Sequence, residues 1–326
     1  MTPEPVRPTL DDIRAAAARI RPLAWRTPMV FSAALSASTG ASVWLKLEVV
    51  QRTGSFKMRG AANALVRLRA DGFDGIVVTA SAGNHGLALS TAAHALGMRV
   101  HVHLPASAPA AKKQALAGLG AEAIEAPSYD EAEARAHEDG RRPGCCYLSP
   151  YNDFDVIAGA GTVALEMFEE HDDLDTLVVP VGGGGLLAGS ALVARAQGRS
   201  GLMVVGTEAA ASPVYSSALA AGRPVIVEVR DTLADGLAGN MDADNMAFAI
   251  IRDLVDRVVD VDETAIAAAM RRLVLDDRFV AEGAAATAIA GLEQLNLQGR
   301  RVGIILSGRN VDPHVMERVL AAGRRD

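Results

Sequence analysis

Between residues 75 and 148, short apolar runs alternate with helical stretches, and this alternation constrains the fold more than any other feature of the chain. Residues 75–79, 98–104, 122–126 and 145–148 read as strands, and the segments between them as helices. The rhythm resumes with a helix over 156–169, a strand over 177–181 and a helix over 186–196. Further strands are predicted over 203–206, 257–261 and 302–306. Strand–helix repeats of this length specify parallel sheets covered by helices on both faces. The fold class is therefore α/β.

A chain of 326 residues, half of them hydrophobic, is long enough for one large or two modest domains. The net charge of −7, with no dense lysine or arginine stripe, argues against nucleic acid or an acidic membrane surface as partner. The two cysteines, Cys145 and Cys146, are adjacent, which fits a reducing cytoplasm and reads as two small residues in a buried strand. Residues 176–194 form an uncharged run of membrane-spanning length, but Pro180 and four glycines divide it into strand, turn and helix. The polar start, residues 1–5, lacks an apolar signal core, so neither a membrane segment nor a leader is expected.

Four stretches carry chemistry. Thr53-Gly54-Ser55-Phe56-Lys57 places a lysine at the entry to a helix, where the dipole and partial burial both favour the neutral amine that forms Schiff bases. Taken alone, a surface lysine at a helix start is the more common arrangement. Gly182, Gly183, Gly184 and Gly185 follow a strand and open a helix, a setting in which backbone N–H groups close around a phosphate. A plain tight turn explains the tetrad equally well, and neither a P-loop nor a dinucleotide fingerprint is present. Ser81-Ala82-Gly83-Asn84-His85 forms a second strand-to-helix turn able to hold a carboxylate, although serine and asparagine are also ordinary helix caps. Ser307-Gly308-Arg309-Asn310 ends the last strand, at the sheet edge where ligands gather, or is simply a turn.

With these stretches in order, the chain resembles the fold-type II pyridoxal-phosphate enzymes, and within them the serine/threonine dehydratase and serine racemase group. The likeness runs from Arg26-Thr27-Pro28 to Ser307-Gly308 and includes Thr232-Leu233-Ala234-Asp235-Gly236 and Ala281-Glu282-Gly283-Ala284. It implies two open twisted-sheet α/β domains, like those of tryptophan synthase β, with pyridoxal 5′-phosphate between them. Residues 1–59 and 150–326 would form the large cofactor-binding domain, and residues 60–149 a small mobile one. A homodimer in the cytoplasm, acting on a small amino acid, is also implied.

By the same resemblance, Lys57 would carry the cofactor and remove the substrate's α-proton, with Phe56 beside it. The tetrad Gly182 to Gly185, with Leu186, would bind the cofactor phosphate. Asn84 would reach the ring oxygen and Ser307 the ring nitrogen. Ser81, Ala82, Gly83, Asn84 and His85 would hold the substrate carboxylate, and Ser81 and Glu282 would assist the chemistry. A glutamate near the cofactor is the family pattern at Glu282, which equally reads as a helix-cap partner. A neutral serine at the ring nitrogen makes a weaker electron sink than an aspartate, which suits prompt loss of a β-leaving group. The expected reaction is dehydration and deamination of threonine or serine to a 2-oxo acid and ammonia. A bulkier or modified substrate is the alternative (phenylserine, 3-hydroxyaspartate or an ectoine-derived compound), with residues 237–242 setting the choice. Binding of the cofactor without turnover is another.

Three departures stand out. Ala82 replaces the serine that serves the racemases as an acid, which disfavours racemisation. Glu208 matches the first ligand of the family's cation site, but the carboxylate expected six residues later is Val214, so no metal is expected. Arg309 stands where the family has glycine, and is expected to face solvent. Nor is a C-terminal regulatory domain expected.

Overall fold

The segment Thr176–Pro180 is buried at every position, which only the middle of a sheet covered on both faces allows. The computed structural model describes residues 7–81 and 83–322, so the readings of residues 1–5 and of Ala82 lie outside the described residues. Its strands in chain order are β1 (Met29–Phe31), β2 (Ser42–Leu47), β3 (Ile76–Ala80), β4 (Arg99–Pro105) and β5 (Glu122–Ala126). They continue as β6 (Cys145–Tyr147), β7 (Thr176–Pro180), β8 (Met203–Ala209), β9 (Arg257–Val261) and β10 (Arg301–Leu306).

Two sheets result. The larger has the order β1-β2-β10-β7-β8-β9 and the smaller β5-β4-β3-β6. Every pairing is parallel except that of β1 with β2. Along β7 the side chains alternate between two cores: Leu177 and Val179 enter one, and Val178 the other. A third core lies against the smaller sheet, where Val77, Val100 and Val102 meet the alanine-rich face of helix Asn84–Leu96.

Helix Lys57–Ala70 packs against helix Phe154–Glu170 at very short range. A Cβ on Gly159 would come within 2.6 Å of the Arg59 carbonyl oxygen, and one on Gly60 within 2.9 Å of the Val156 carbonyl oxygen. Buried charge holds the same contact. Arg59 pairs with Glu48 and with Glu166, both at 2.7 Å, and Lys46 reaches Glu166 at 2.7 Å. Burial alone would lower the Arg59 pKa, but the two carboxylates outweigh it and raise it.

Several elements differ from the sequence reading. Helices Ala33–Thr39 and Pro313–Ala321 were not predicted: the first is too short to show a period, and the second follows the last strand across a turn. Helix Glu263–Arg272 widens at its end into a π-turn, Leu273–Asp277, closed by Arg278 at φ 64°, which no local pattern marks. The cysteines are free and half-buried rather than buried, because β6 is an edge strand. No helix among the described residues is long and apolar enough to cross a membrane, and the uncharged run is strand β7, a glycine turn and helix Gly185–Ala196.

Candidate active site

Parallel strands leave their carboxyl ends open to ligands, and each of the four stretches lies at such an end. Lys57 follows β2 through the short turn Glu48–Val50, Ser81 follows β3, Gly182 follows β7 and Ser307 follows β10. Backbone bonds stitch the lysine loop to the end of β10. The Phe56 amide donates to the Ser307 carbonyl at 2.9 Å, the Arg309 amide donates to Gly54 at 2.9 Å, and Ser55 bridges Gly308.

Lys57 is the first residue of its helix, and its Nζ donates to the carbonyl oxygen of Pro150 at 2.9 Å. Burial lowers its pKa to about 8, with the carboxylate of Glu282 opposing. The Phe56 ring centroid lies 5.2 Å from the ammonium. Burial, then the charge of Lys57, pushes His85 down to about 3, so its imidazole is neutral. The hydroxyls of Thr53 and Ser55, in the same loop, are buried with no hydrogen-bond partner among the described residues.

Asn84 opens helix Asn84–Leu96 without capping it; Gly83 occupies the cap position. Its amide Nδ2 donates to Glu282 Oε1 at 2.8 Å, while its Oδ1 accepts from Asn310 Nδ2 at 2.7 Å. Asn310 also donates to the Thr53 carbonyl at 2.8 Å. Both ends of the Asn84 side chain are thus fixed from the opposite sheet. Glu282 precedes helix Gly283–Ala290, but its side chain makes no capping bond and turns to Asn84 instead. Burial raises its carboxyl to about 7, and the bond from Asn84 opposes the rise. Ser81 is buried, and its Oγ accepts from the Gly83 amide at 3.2 Å. Ala82 lies outside the described residues.

The glycine tetrad closes on itself for steric reasons. Gly184 has φ 96°, and a Cβ there would meet Tyr215 Oη at 1.9 Å; one on Gly183 would meet the Tyr151 ring at 2.2 Å. Tyr215 Oη and Asn245 Nδ2 both donate to the Gly183 carbonyl, at 3.0 and 3.1 Å. With that carbonyl tied back, the loop leads into helix Gly185–Ala196, where Leu186 is buried. The backbone amides at a helix start carry a partial positive charge suited to a phosphate.

On the Asn84–Glu282 side of the site, a cavity of about 530 Å³ is lined by Asn84, Lys112, Asp235, Glu282, Asn310 and Arg318, among others. Arg309 is exposed. Glu208 accepts from the Tyr215 and Ser216 amides at 2.8 and 2.7 Å, so it serves the start of helix Val214–Ala221. Of residues 237–242, Leu237 packs on Gly182 and Asp242 faces helix Tyr129–Gly140.

Asn310, Tyr215, Asn245 and Tyr151 are functional neighbours that the sequence alone does not single out. Asn310 closes the run that begins at Ser307, and Tyr215 and Asn245 stand at the starts of helices Val214–Ala221 and Met246–Leu254. Nothing local marks Tyr151, whose ring packs against Gly183.

The pyridoxal-phosphate-dependent enzyme family matches residues 20–308. An L-threonine ammonia-lyase of Thermotoga maritima is 37% identical over 97% of this chain and 79% of its own length. The L-threo-3-hydroxyaspartate ammonia-lyase of Saccharomyces cerevisiae is 38% identical over 98% of both chains. The solved structure of maize serine racemase superposes with a TM-score of 0.87 at 32% identity, covering 97% of this chain and 98% of that one. With the lysine, the glycine tetrad and the Asn84–Glu282 pair at the carboxyl ends of its parallel strands, the chain belongs to the pyridoxal-phosphate-dependent enzymes.

Proposed function

We propose that this chain is an ammonia-lyase that removes water and then ammonia from a small β-hydroxy amino acid, threonine or serine foremost. Its residues fit the cofactor. The tetrad has space for backbone only, the Thr53 and Ser55 hydroxyls have no hydrogen-bond partner among the described residues, and burial lowers the lysine pKa to about 8. The bound cofactor supplies the electron sink that makes the substrate's α-hydrogen acidic. Lys57 would hold the cofactor, and its Nζ would be the group that takes the α-proton. The amides of Gly182 to Gly185, with Leu186 behind them, would hold the phosphate. Asn84 and Ser307 would hold the ring, with Phe56 beside the lysine. The turn from Ser81 to His85 binds the substrate carboxylate, and Glu282 positions Asn84.

The observation that carries this reading is the placement of Lys57, the glycine tetrad and Asn84 at the carboxyl ends of parallel strands, where open α/β sheets bind ligands. Burial lowers the Lys57 pKa to about 8, which suits a proton acceptor near pH 7. Residues 60–149 act as a mobile unit that closes over the substrate and excludes water, the rest of the chain being the cofactor domain. A cytoplasmic homodimer completes the proposal.

A second reading, 3-hydroxyaspartate as substrate, draws support from the yeast relative's full-length match and from Lys112, a cation lining the cavity beside Asn84. The test is release of ammonia and 2-oxo acid from a panel of β-hydroxy amino acids by the wild type and Lys57→Ala. Turnover of threonine or serine that falls at least about 10²-fold in the variant is expected. Turnover of 3-hydroxyaspartate alone favours the second reading, and silence on the whole panel by cofactor-loaded protein overturns both.

A further inference from the structure

Away from the cofactor residues, three ligand-type side chains converge on one point. Glu133 and His137 stand four residues apart on helix Tyr129–Gly140, so they share a face. Asp242 approaches from the loop that follows the turn Asp235–Leu237. One donor atom from each of the three lies within 4.8 Å of the others, and all three residues are half-buried.

The charge at this point is unbalanced. Among the described residues no lysine or arginine pairs with Glu133 or Asp242, and the neighbouring Arg135 is bound to Glu131. The Tyr147 ring stacks on His137 with centroids 3.9 Å apart and fixes the imidazole.

We propose that Glu133, His137 and Asp242 form a binding site for one divalent first-row metal ion, of the Zn²⁺ or Mn²⁺ kind. Two carboxylate oxygens and one imidazole nitrogen are a set such ions accept, with water completing the shell. Mg²⁺ and Ca²⁺ prefer oxygen alone. Bonds of about 2.1 Å require donors roughly 3.3 Å apart, so the three side chains close in by about 1 Å on binding. The ion joins a helix beside the smaller sheet to the seat of the cofactor phosphate. Asp242 accepts from Asn152 at 3.1 Å, Asn152 accepts from the Met246 amide at 2.8 Å, and the adjoining Asn245 holds Gly183. Glu208, already bonded to two backbone amides, takes no part.

Cofactor-loaded protein, stripped with a chelator and desalted, is titrated with Mn²⁺ under electron paramagnetic resonance and with Zn²⁺ by calorimetry. One ion per chain is expected, and the Mn²⁺ spectrum should carry coupling to a single imidazole nitrogen. Glu133→Gln and Asp242→Asn should each weaken binding at least about tenfold, His137→Gln should remove the nitrogen coupling, and Glu208→Gln should leave affinity unchanged. No stoichiometric ion, a wild-type spectrum without imidazole coupling, or loss of binding in Glu208→Gln alone would overturn the proposal. The wild-type spectrum decides the matter even where a variant folds poorly.

Discussion

Glu282 shows how one buried group sets a pH dependence. Its pKa is about 4.5 in the unfolded chain and is raised to about 7 in the folded one, chiefly by burial. A raised carboxyl favours the protonated form, so its contribution to stability is complete below about pH 4.5 and is lost as pH rises through 7. At about 1.4 kcal/mol for each tenfold change in proton affinity, the loss amounts to roughly 3 kcal/mol. Glutamine keeps an oxygen for Asn84 but has no charge to bury. Urea unfolding of cofactor-free Glu282→Gln should therefore match the wild type near pH 4.5 and exceed it by up to roughly 3 kcal/mol at pH 8. A variant less stable at pH 8 would show that the carboxylate is held by partners rather than strained by burial. The presence of Glu282 was legible from its motif. That it faces Asn84 instead of capping its own helix depended on a contact between residues 198 positions apart.

Among the elements, the glycine tetrad is defined by what surrounds it. Gly184 combines a left-handed φ of 96° with a tyrosine oxygen 1.9 Å from where its Cβ would stand. Alanine there costs about 1–3 kcal/mol of backbone strain before the clash is relieved. Gly184→Ala should hold pyridoxal phosphate at least about tenfold more weakly, read as cofactor absorbance left after dialysis; full retention would place the phosphate elsewhere. The tetrad was readable because four glycines between a strand and a helix need no distant partner to be recognised. Its braces, Tyr215 and Asn245, were not, since a tyrosine and an asparagine at helix starts have ordinary local explanations.

Over the whole molecule, the buried ions Arg59, Glu48, Glu166 and Lys46 join strand β2, the lysine helix and helix Phe154–Glu170. Arg59 is 1% exposed, so replacing it leaves the buried Glu48 carboxylate with no cationic partner, while Glu166 keeps Lys46. Arg59→Met should destabilise the protein by about 3–5 kcal/mol in urea unfolding, because an uncompensated buried charge costs more than the pair contributes. A change below about 1 kcal/mol would mean that water reaches the site. This network begins two residues after Lys57 and anchors the helix on which the lysine rides.

The sequence by itself determined the α/β class, the order of most strands and helices, and the four stretches that the fold sets at the carboxyl ends of strands. These follow from periodicity and turn residues, which act over a few positions. Helix Pro313–Ala321 escaped the sequence reading although Asp312 and Pro313 mark its start. Only the tertiary structure decided which strands neighbour one another, that β10 lies between β2 and β7, and that Asn84 meets both Glu282 and Asn310. It also decided that Glu133, His137 and Asp242 meet. Such contacts arise when separate apolar faces are buried together, and no local pattern along the chain records which faces those will be.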